Sequence, residues 1–269
     1  INGPYWGGHI IEYNDIHDTV QETGDHGSFN SWGRGRCFHP DRYGTEVPHE
    51  PGDPEWDARL TTIIRNNRFR EDPFQAGFIS GDNNLGIDMD DNSAFYHLYN
   101  NLCIGVGVQN RTGAYHLTEN NIFINPQDLM CYHIVFENNH YKLVRNILVI
   151  SDKYDNFTDQ WGNNFYQVLN PPARGPWFEQ CDFNVFFNER GPFSAHVTFR
   201  GSGAEEYSLE KWRECGYDRN SVLADPLFVD PANGDYRVKP ESPALKLGFK
   251  NFDMDNFGLL PDFPNKWED

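Results

Sequence analysis

The stretch Tyr96-His97-Leu98-Tyr99-Asn100-Asn101-Leu102-Cys103 decides the fold, because its order of apolar residues, Asn and apolar residues recurs along the chain. The other segments with this order are 10–16, 63–69, 119–123, 144–148 and 182–186. From Asn101 to Asn121 and on to Asn146 the steps are 20 and 25 residues. Repeats of that length are typical of a solenoid. The short β-branched and aromatic runs between Asn and Gly favour strands over helices.

The recurring Asn has a physical role in such a solenoid. At the corner of a coil, Asn tolerates left-handed backbone and can hydrogen-bond to its copy one coil away. The sequence therefore predicts an all-β fold, a parallel β-helix whose coils lie about 4.8 Å apart. The alternative is an antiparallel sandwich in which the Asn spacing is accidental.

The chain is expected to form one domain over residues 1–269. Two loop insertions, 33–57 and 152–177, interrupt the coils, and long loops on a rigid solenoid commonly build a binding cleft. The sequence SLEKWRE at 208–214 predicts a short helix with Ser208 as its N-cap. Residues 204–269 are expected to form the closing coils and a C-terminal cap. No such cap is evident at the N-terminus, so we expect that earlier coils or a partner chain cover that end.

Composition narrows the possible partners. The net charge of −18 disfavours binding to nucleic acid and to anionic membranes, and no apolar run is long enough for a membrane span. Aromatic residues make up 15% of the chain, and exposed rings can stack on sugars. The five cysteines are scattered without a CxxC pair, which favours small buried residues over a disulfide framework or a zinc site.

The acidic stretch Gly86-Ile87-Asp88-Met89-Asp90-Asp91-Asn92 directly precedes the repeat. In a strand, Asp88 and Asp90 share one face with Cα atoms about 6.6–6.8 Å apart. Glycosidic hydrolysis usually needs two carboxyl groups, about 5–5.5 Å apart for retention and about 6.5–9.5 Å for inversion. Crowding raises the pKa of one carboxyl group of such a pair, as a general acid requires. Asp88, Asp90 and Asp91 are therefore candidate catalytic residues, with calcium binding or a structural turn as alternatives.

A second group of candidates lies in the phrase ETGDHG. Its flanking glycines allow a tight bend that presents Asp25 and His26 outward. Glu22 and Asp25 are the best further sources of a second catalytic acid, and His26 is a candidate substrate-binding residue. A His and an Asp that satisfy each other in a turn are the structural alternative.

Trp32, Arg34 and Arg36 follow directly and are candidate substrate-binding residues. A Trp ring stacks on a sugar face, and Arg donates to hydroxyl groups or a carboxylate. His97 and His116 occupy comparable positions in successive repeats, which favours a solenoid ladder over a metal site. No spacing typical of a zinc site appears, so no metal ligand is assigned.

Three phrases carry a resemblance to a known group of proteins: GDHGSFNSWGR at 24–34, GIDMDDNSAFYHLYNN at 86–101 and DPLFVDPANGDYRVKPESPALKLGF at 225–249. The chain resembles right-handed parallel β-helix carbohydrate-active enzymes of the pectate-lyase-like superfamily. It is most similar to bacterial glycoside hydrolases of the β-xylosidase and fucosidase type. The resemblance spans nearly the whole chain, which would match the C-terminal half of longer relatives.

The resemblance implies a catalytic carboxylate in the acidic turn and a second acid one coil later, in an R-E-G phrase. The matching positions are Arg111-Thr112-Gly113, with Thr in place of Glu, and they leave Arg111 as a candidate substrate-binding residue. The G-R-D-R phrase of such enzymes appears as Gly33-Arg34-Gly35-Arg36, with Gly in place of Asp. These departures indicate a different acid partner, altered chemistry or a scaffold without activity.

The sequence thus predicts a secreted or periplasmic bacterial glycoside hydrolase that acts on a plant, algal or host glycan through paired carboxylates. No cofactor is expected apart from a possible calcium ion. One alternative is a calcium-assisted polysaccharide lyase, which needs a base for proton abstraction and a means of neutralising a uronate carboxylate. The other is a non-catalytic β-helix that binds glycans.

Overall fold

A computed structural model describes residues 7–20, 26–32, 59–71, 85–125, 130–133, 139–151 and 164–259. In these ranges the chain runs through six successive coils, and each coil gives one strand to each of three sheets. Sheet 1 contains β1 (Ile10–Glu12), β4 (Thr62–Arg65), β7 (Ala94–Tyr99), β10 (Ala114–Glu119), β13 (Lys142–Val144) and β16 (Gln180–Asp182). Sheet 2 contains β2 (Asp15–His17), β5 (Arg68–Arg70), β8 (Leu102–Ile104), β11 (Ile122–Ile124), β14 (Ile147–Ile150), β17 (Val185–Asn188) and β20 (Val222–Leu223).

Sheet 3 contains β3 (Phe29–Trp32), β6 (Ile87–Asp90), β9 (Val108–Arg111), β12 (Met130–His133), β15 (Tyr166–Leu169), β18 (Ala195–Thr198) and β19 (Ala204–Tyr207). Neighbouring strands from successive coils pair in parallel, except that β19 pairs antiparallel with β18. The stacked parallel sheets are those of a β-helix-like solenoid, and the antiparallel sandwich is therefore excluded for the described residues.

A ladder of asparagines joins the coils at the corner between sheets 1 and 2, as the sequence predicts. The Oδ1 atom of each member after the first accepts a hydrogen bond from the backbone N–H of its copy in the preceding coil, at 2.9–3.1 Å. Its members are Asn14, Asn67, Asn101, Asn121, Asn146 and Asn184. The left-handed residue, however, is the one before each ladder Asn, for example Asn100 with φ 56° and Asn120 with φ 55°. The turn thereby points the ladder amide inward, where its buried polar atoms find partners.

Asp218 ends the ladder. This buried carboxylate accepts hydrogen bonds from Asn184 Nδ2 at 3.0 Å, Ser221 Oγ at 2.5 Å, Trp212 Nε1 at 2.8 Å and Tyr166 Oη at 3.0 Å. Because many donors converge on it, the buried carboxylate is compensated by hydrogen bonds to its side chain, and Arg213 Nε donates to the carbonyl oxygen of Asp218 at 3.0 Å. Asp218 thus links the last ladder amide to helix α1 (Leu209–Glu214), which carries Trp212. The predicted N-cap is confirmed, since Ser208 Oγ accepts from Lys211 N.

Apolar side chains fill the interior between the three sheets. Strand alternation sends every second residue inward, as in β6, where Ile87 and Met89 are buried in the core. The largest buried side chains include Phe69, Tyr132, Phe165, Phe186 and Trp212. Cys103, Cys131 and Cys181 are buried free thiols, as expected for small apolar residues, whereas Cys215 is exposed.

The outer face of sheet 2 is covered as well. A hairpin of β21 (Phe228–Asp230) and β22 (Asp235–Val238), joined by a 3-10 helix (Pro231–Asn233), is followed by helix α2 (Pro243–Lys246). Side chains of these elements and of the segment up to Met254 form a second apolar cluster with outward residues of sheet 2, including Leu102, Ile122 and Ile147. Residues 228–254, which the sequence analysis assigned to the closing coils and cap, thus pack along one flank of the solenoid.

One of the two predicted loop insertions needs correction. The predicted insertion 152–177 contains strand β15, in which Tyr166 and Val168 are buried and the residues between and after them are half-buried. That period of two is the signature of a strand with one face in the core. The predicted insertion 33–57 lies outside the described residues. Within the described ranges, no helix is long and apolar enough to cross a membrane.

Candidate active site

The structure describes six of the ten candidate site residues: His26, Trp32, Asp88, Asp90, Asp91 and Arg111. Glu22, Asp25, Arg34 and Arg36 lie outside the described residues. Of the six, all but His26 lie at or next to the outer face of sheet 3, on β3, β6, β9 and the turn after β6. We call this surface, over β3, β6, β9 and β12, the carboxylate face.

Asp88 and Asp90 share this face, as the sequence predicts. Asp88 is fully buried, although its side chain points away from the core. Its carboxylate accepts from Asn30 Nδ2 at 2.7 Å and from Gln109 Nε2 at 3.3 Å. Both amides sit at the same register position as Asp88, on the strands to either side. Asp88 is therefore held between two amide donors beneath the surface.

Asp90 is the carboxylate that reaches solvent, with 16% of its side chain exposed. Its Oδ1 atom lies 3.4 Å from Arg111 Nη1 and also accepts from the backbone N–H of Asp91 at 2.8 Å. Arg111 thus offsets the charge of Asp90 across the sheet. Asp88 and Asp90 are thus held by different partners.

Asp91 is directed elsewhere, as expected. It begins the turn after β6 with φ 37°, is almost fully buried, and its Oδ2 accepts from Trp32 Nε1 at 2.7 Å. The indole ring of Trp32 remains 44% exposed. Asp91 therefore orients an exposed aromatic ring beside Asp90, since Trp32 and Asp90 are register partners.

His133 is a site residue that the sequence analysis did not identify. It is the register partner of Arg111 on β12 and so continues the row of Trp32, Asp90 and Arg111. Burial, with a smaller effect of the Arg111 charge, lowers the pKa of His133 to about 4. At neutral pH His133 is an uncharged imidazole that can donate one hydrogen bond and accept another.

The phrase Arg111-Thr112-Gly113 forms a corner rather than a second acid site. Thr112 is buried, has φ 58°, and its Oγ1 accepts from Asn92 N at 3.1 Å. A Cβ at Gly113 would lie 1.7 Å from the carbonyl oxygen of Ser93. Only Arg111 of this phrase reaches the carboxylate face.

His26 is exposed and lies before β3, where its carbonyl oxygen accepts from Leu85 N at 3.0 Å. His26 precedes the first residue of β3, whereas Asp90 pairs with Trp32, the last residue of that strand. The described contacts give His26 no bond to the three aspartates.

The sequence analysis placed His97 and His116 at equivalent positions in successive coils, but the register between their strands differs from that alignment by one residue. His116 pairs with Tyr96, and His97 pairs with Leu117, so the two histidines face opposite sides of sheet 1. His116 is buried, donates from Nε2 to Ser93 O at 2.7 Å, and its pKa is lowered by burial to about 4. His97 contacts Glu119 on the outer face at 2.9 Å.

Among the described residues, no group of three or more His, Cys, Asp and Glu side chains is arranged to hold a metal ion. Comparisons of the chain with protein-family models, with curated proteins and with solved structures found no match.

Proposed function

We propose that the protein is a glycoside hydrolase whose catalytic centre is the carboxylate face. The observation that carries this proposal is the arrangement of two carboxylates on one strand in different surroundings. Asp90 reaches solvent beside an exposed Trp ring, while Asp88 lies buried between two amides. Different surroundings allow two carboxyl groups to take different roles in one reaction.

Asp90 is the reacting carboxylate in this proposal, because it alone of the three aspartates has an exposed side chain next to the ring of Trp32. The second carboxyl group is Asp88 or, in its place, Glu22 or Asp25, which precede β3 in the sequence. Which pair operates determines whether the anomeric configuration is retained or inverted.

Substrate contacts come from the same row. The indole of Trp32, fixed by Asp91, stacks on a sugar ring. Arg111 and the neutral His133 lie one and two coils beyond Asp90 and donate to hydroxyl groups of the saccharide. Because adjacent parallel strands lie about 4.8 Å apart, the row favours an extended saccharide aligned with the solenoid axis.

The same proposal includes the handedness of the coil, the superfamily and the location of the protein. The coil is right-handed, the fold is that of the pectate-lyase-like superfamily, and the protein is secreted or periplasmic in a bacterium. The three phrases that resemble such enzymes, the asparagine ladder and the helix that follows β19 support it.

The test is a screen of aryl glycosides and polysaccharides with Asp90→Asn, Asp88→Asn and the exposed hairpin variant Asp230→Asn as a matched control. We expect Asp90→Asn to lower kcat by about 10²–10⁴-fold, the usual effect of a missing acid–base group, with unchanged circular dichroism. Undiminished turnover in both Asp88→Asn and Asp90→Asn would place the chemistry at Glu22 or Asp25.

The same screen separates the rivals. Unsaturated products that absorb in the ultraviolet and disappear with a calcium chelator would select the lyase. Sugar binding without turnover, unchanged in Asp90→Asn, would select a glycan-binding solenoid.

A further inference from the structure

A second concave surface lies at the corner between sheets 1 and 2, opposite sheet 3. It is an open groove of about 660 Å³. Its floor is the row of left-handed corner residues, one from each of five coils, with φ between 51° and 58°: Tyr13, Asn66, Asn100, Asn120 and Arg145. We call it the corner groove.

The walls of the corner groove are fixed by packing and hydrogen bonds. One wall is the outer edge of sheet 1, with Tyr99 and Glu119. The other is the segment 248–253, which is attached to the floor because Asn120 accepts from Lys250 N at 2.7 Å and donates to Lys250 O at 2.8 Å. Phe252 anchors that segment in the apolar cluster on sheet 2. The groove is therefore formed before any ligand binds, which limits the entropy lost on binding.

The lining offers a ring and polar groups that face solvent. Tyr13 is 40% exposed, and the side-chain amide of Asn66 makes no hydrogen bond within the described part of the chain. Tyr99 is positioned by Arg65, which donates to its hydroxyl at 2.6 Å. A flat ring beside an amide that can both donate and accept matches the apolar face and the hydroxyl edge of a sugar.

The charges of the corner groove cancel. Two acids, Glu119 and Asp253, face two bases, Arg145 and Lys250. His97 and Arg145 bind Glu119 and lower its pKa to about 2, so Glu119 is a permanently ionised acceptor above that pH. In a chain of net charge −18, this local balance favours an uncharged polar ligand over a cation or a polyanion.

A peptide strand is a poorer fit than a saccharide. Peptides commonly bind by adding a strand to a free sheet edge. Apart from β1 and β2 of the first coil, the strands of sheets 1 and 2 that flank the groove are already paired with those of the coils on both sides. The floor offers side chains instead of unpaired backbone.

We propose that the corner groove binds a neutral oligosaccharide chain, at a site separate from the carboxylate face. This proposal does not depend on catalysis. A scaffold without activity would still carry the groove, and an active enzyme would use it to hold a polymer whose other part lies on sheet 3 or on another molecule.

The test is affinity gel electrophoresis in xyloglucan, arabinoxylan and galactomannan, with anionic polygalacturonate as the comparison probe. The decisive variant is Tyr13→Asn, because Asn already occupies this left-handed position in the next three coils and so preserves the backbone. We expect at least one neutral polysaccharide to retard the wild type, and Tyr13→Asn to weaken that retardation about tenfold, since aromatic contacts dominate such sites. Asp230→Asn, on the exposed hairpin outside both surfaces, should retain it.

Two results would overturn the proposal. One is that no neutral polysaccharide in the panel retards the wild type. The other is that retardation persists in Tyr13→Asn and is lost in Trp32→Phe, which would assign the binding to the carboxylate face. Turnover of a short aryl glycoside, measured on the same variants, reports separately on the proposed hydrolase.

Discussion

Replacing Asn121 by alanine tests the coil-to-coil ladder at its centre. Asn121 is fully buried. Its Oδ1 accepts from Asn101 N at 3.0 Å, and its Nδ2 donates to Leu98 O and Glu119 O, each at 3.0 Å, as well as to the next ladder Asn. Alanine removes all of these contacts while the backbone pairing of the strands can persist.

The expected loss in the free energy of unfolding follows from the buried groups that lose a hydrogen-bond partner. The buried N–H of Asn101 and the carbonyl oxygens of Leu98 and Glu119 lose a bond, whereas Asn101 Nδ2 keeps Ile64 O at 2.9 Å. Each unsatisfied buried group costs about 1–3 kcal/mol. Allowing for a water molecule in the vacated space, we expect Asn121→Ala to lower the free energy of unfolding by about 3–5 kcal/mol.

The matched control is Asn14→Ala at the exposed end of the same ladder. The Asn14 side chain donates to Asn67 Oδ1 at 2.8 Å and Glu12 O at 3.0 Å, and water can replace these bonds, so we expect a loss below about 1 kcal/mol. Urea unfolding followed by circular dichroism and by Trp fluorescence measures both variants, and a change in m would reveal uncoupled coils. Equal losses in the two variants, or a loss below about 1 kcal/mol for Asn121→Ala, would refute the ladder argument.

Three further outcomes are expected. Asp218→Asn places an NH₂ group against converging donors and should cost about 3–5 kcal/mol by urea unfolding; a loss as small as that of a surface substitution would contradict its place at the ladder end. The pKa of His116 is about 4 in the folded chain, below its ordinary value of 6.5. Between these two pH values the unfolded chain binds more protons than the folded chain, so the free energy of unfolding decreases as the pH falls from 6.5 to 4. In His116→Gln that part of the pH dependence of unfolding should disappear, and an unchanged slope would show that His116 is not buried neutral. Gly113→Ala should lower the melting temperature strongly because its Cβ meets Ser93 O, whereas Gly191→Ala, with nothing within 4 Å of its Cβ, should not; similar shifts would disprove the close approach.

The repeat architecture could be predicted because a buried amide needs a partner. Asn101, Asn121 and Asn146 recur at coil length, so each amide can bond to its copy in the next coil as well as to nearby backbone carbonyl oxygens. It was harder to predict from the sequence on which side of a sheet a single residue lies. His97 and His116 stand in the same three-letter context, but strand parity and the pairing of Tyr96 with His116 place them on opposite sides of the sheet.

The flank packing of the C-terminal region was not predicted, although sheet 2 carries a signal for it. Strand β14, with sequence ILVI, is buried at every position. Continuous apolar strands are typical of sheets covered on both faces. The segment that supplies the cover is distant in the chain, so its position depends on tertiary contacts that the local pattern does not contain.

At the candidate site, the sequence predicted the shared face of Asp88 and Asp90 because a period of two is a property of one strand. It did not predict Asn30, Gln109 and His133. These partners come from neighbouring coils, and coil length varies, so the register that brings them together cannot be counted from the chain. The residue types also gave little signal, since amides and a single His are common on any polar face.

The position of the proposed site follows from where the coils are tightest. Asp90 and Arg111 end their strands, and only three and two residues respectively separate them from the next strand of sheet 1. Those corners are joined from coil to coil, by Asn92 N to Arg111 O at 2.9 Å and by Thr112 N to His133 O at 3.2 Å. A row of polar side chains on strand ends joined in this way is held in register by backbone hydrogen bonds, the kind of rigid support that a preorganised site requires.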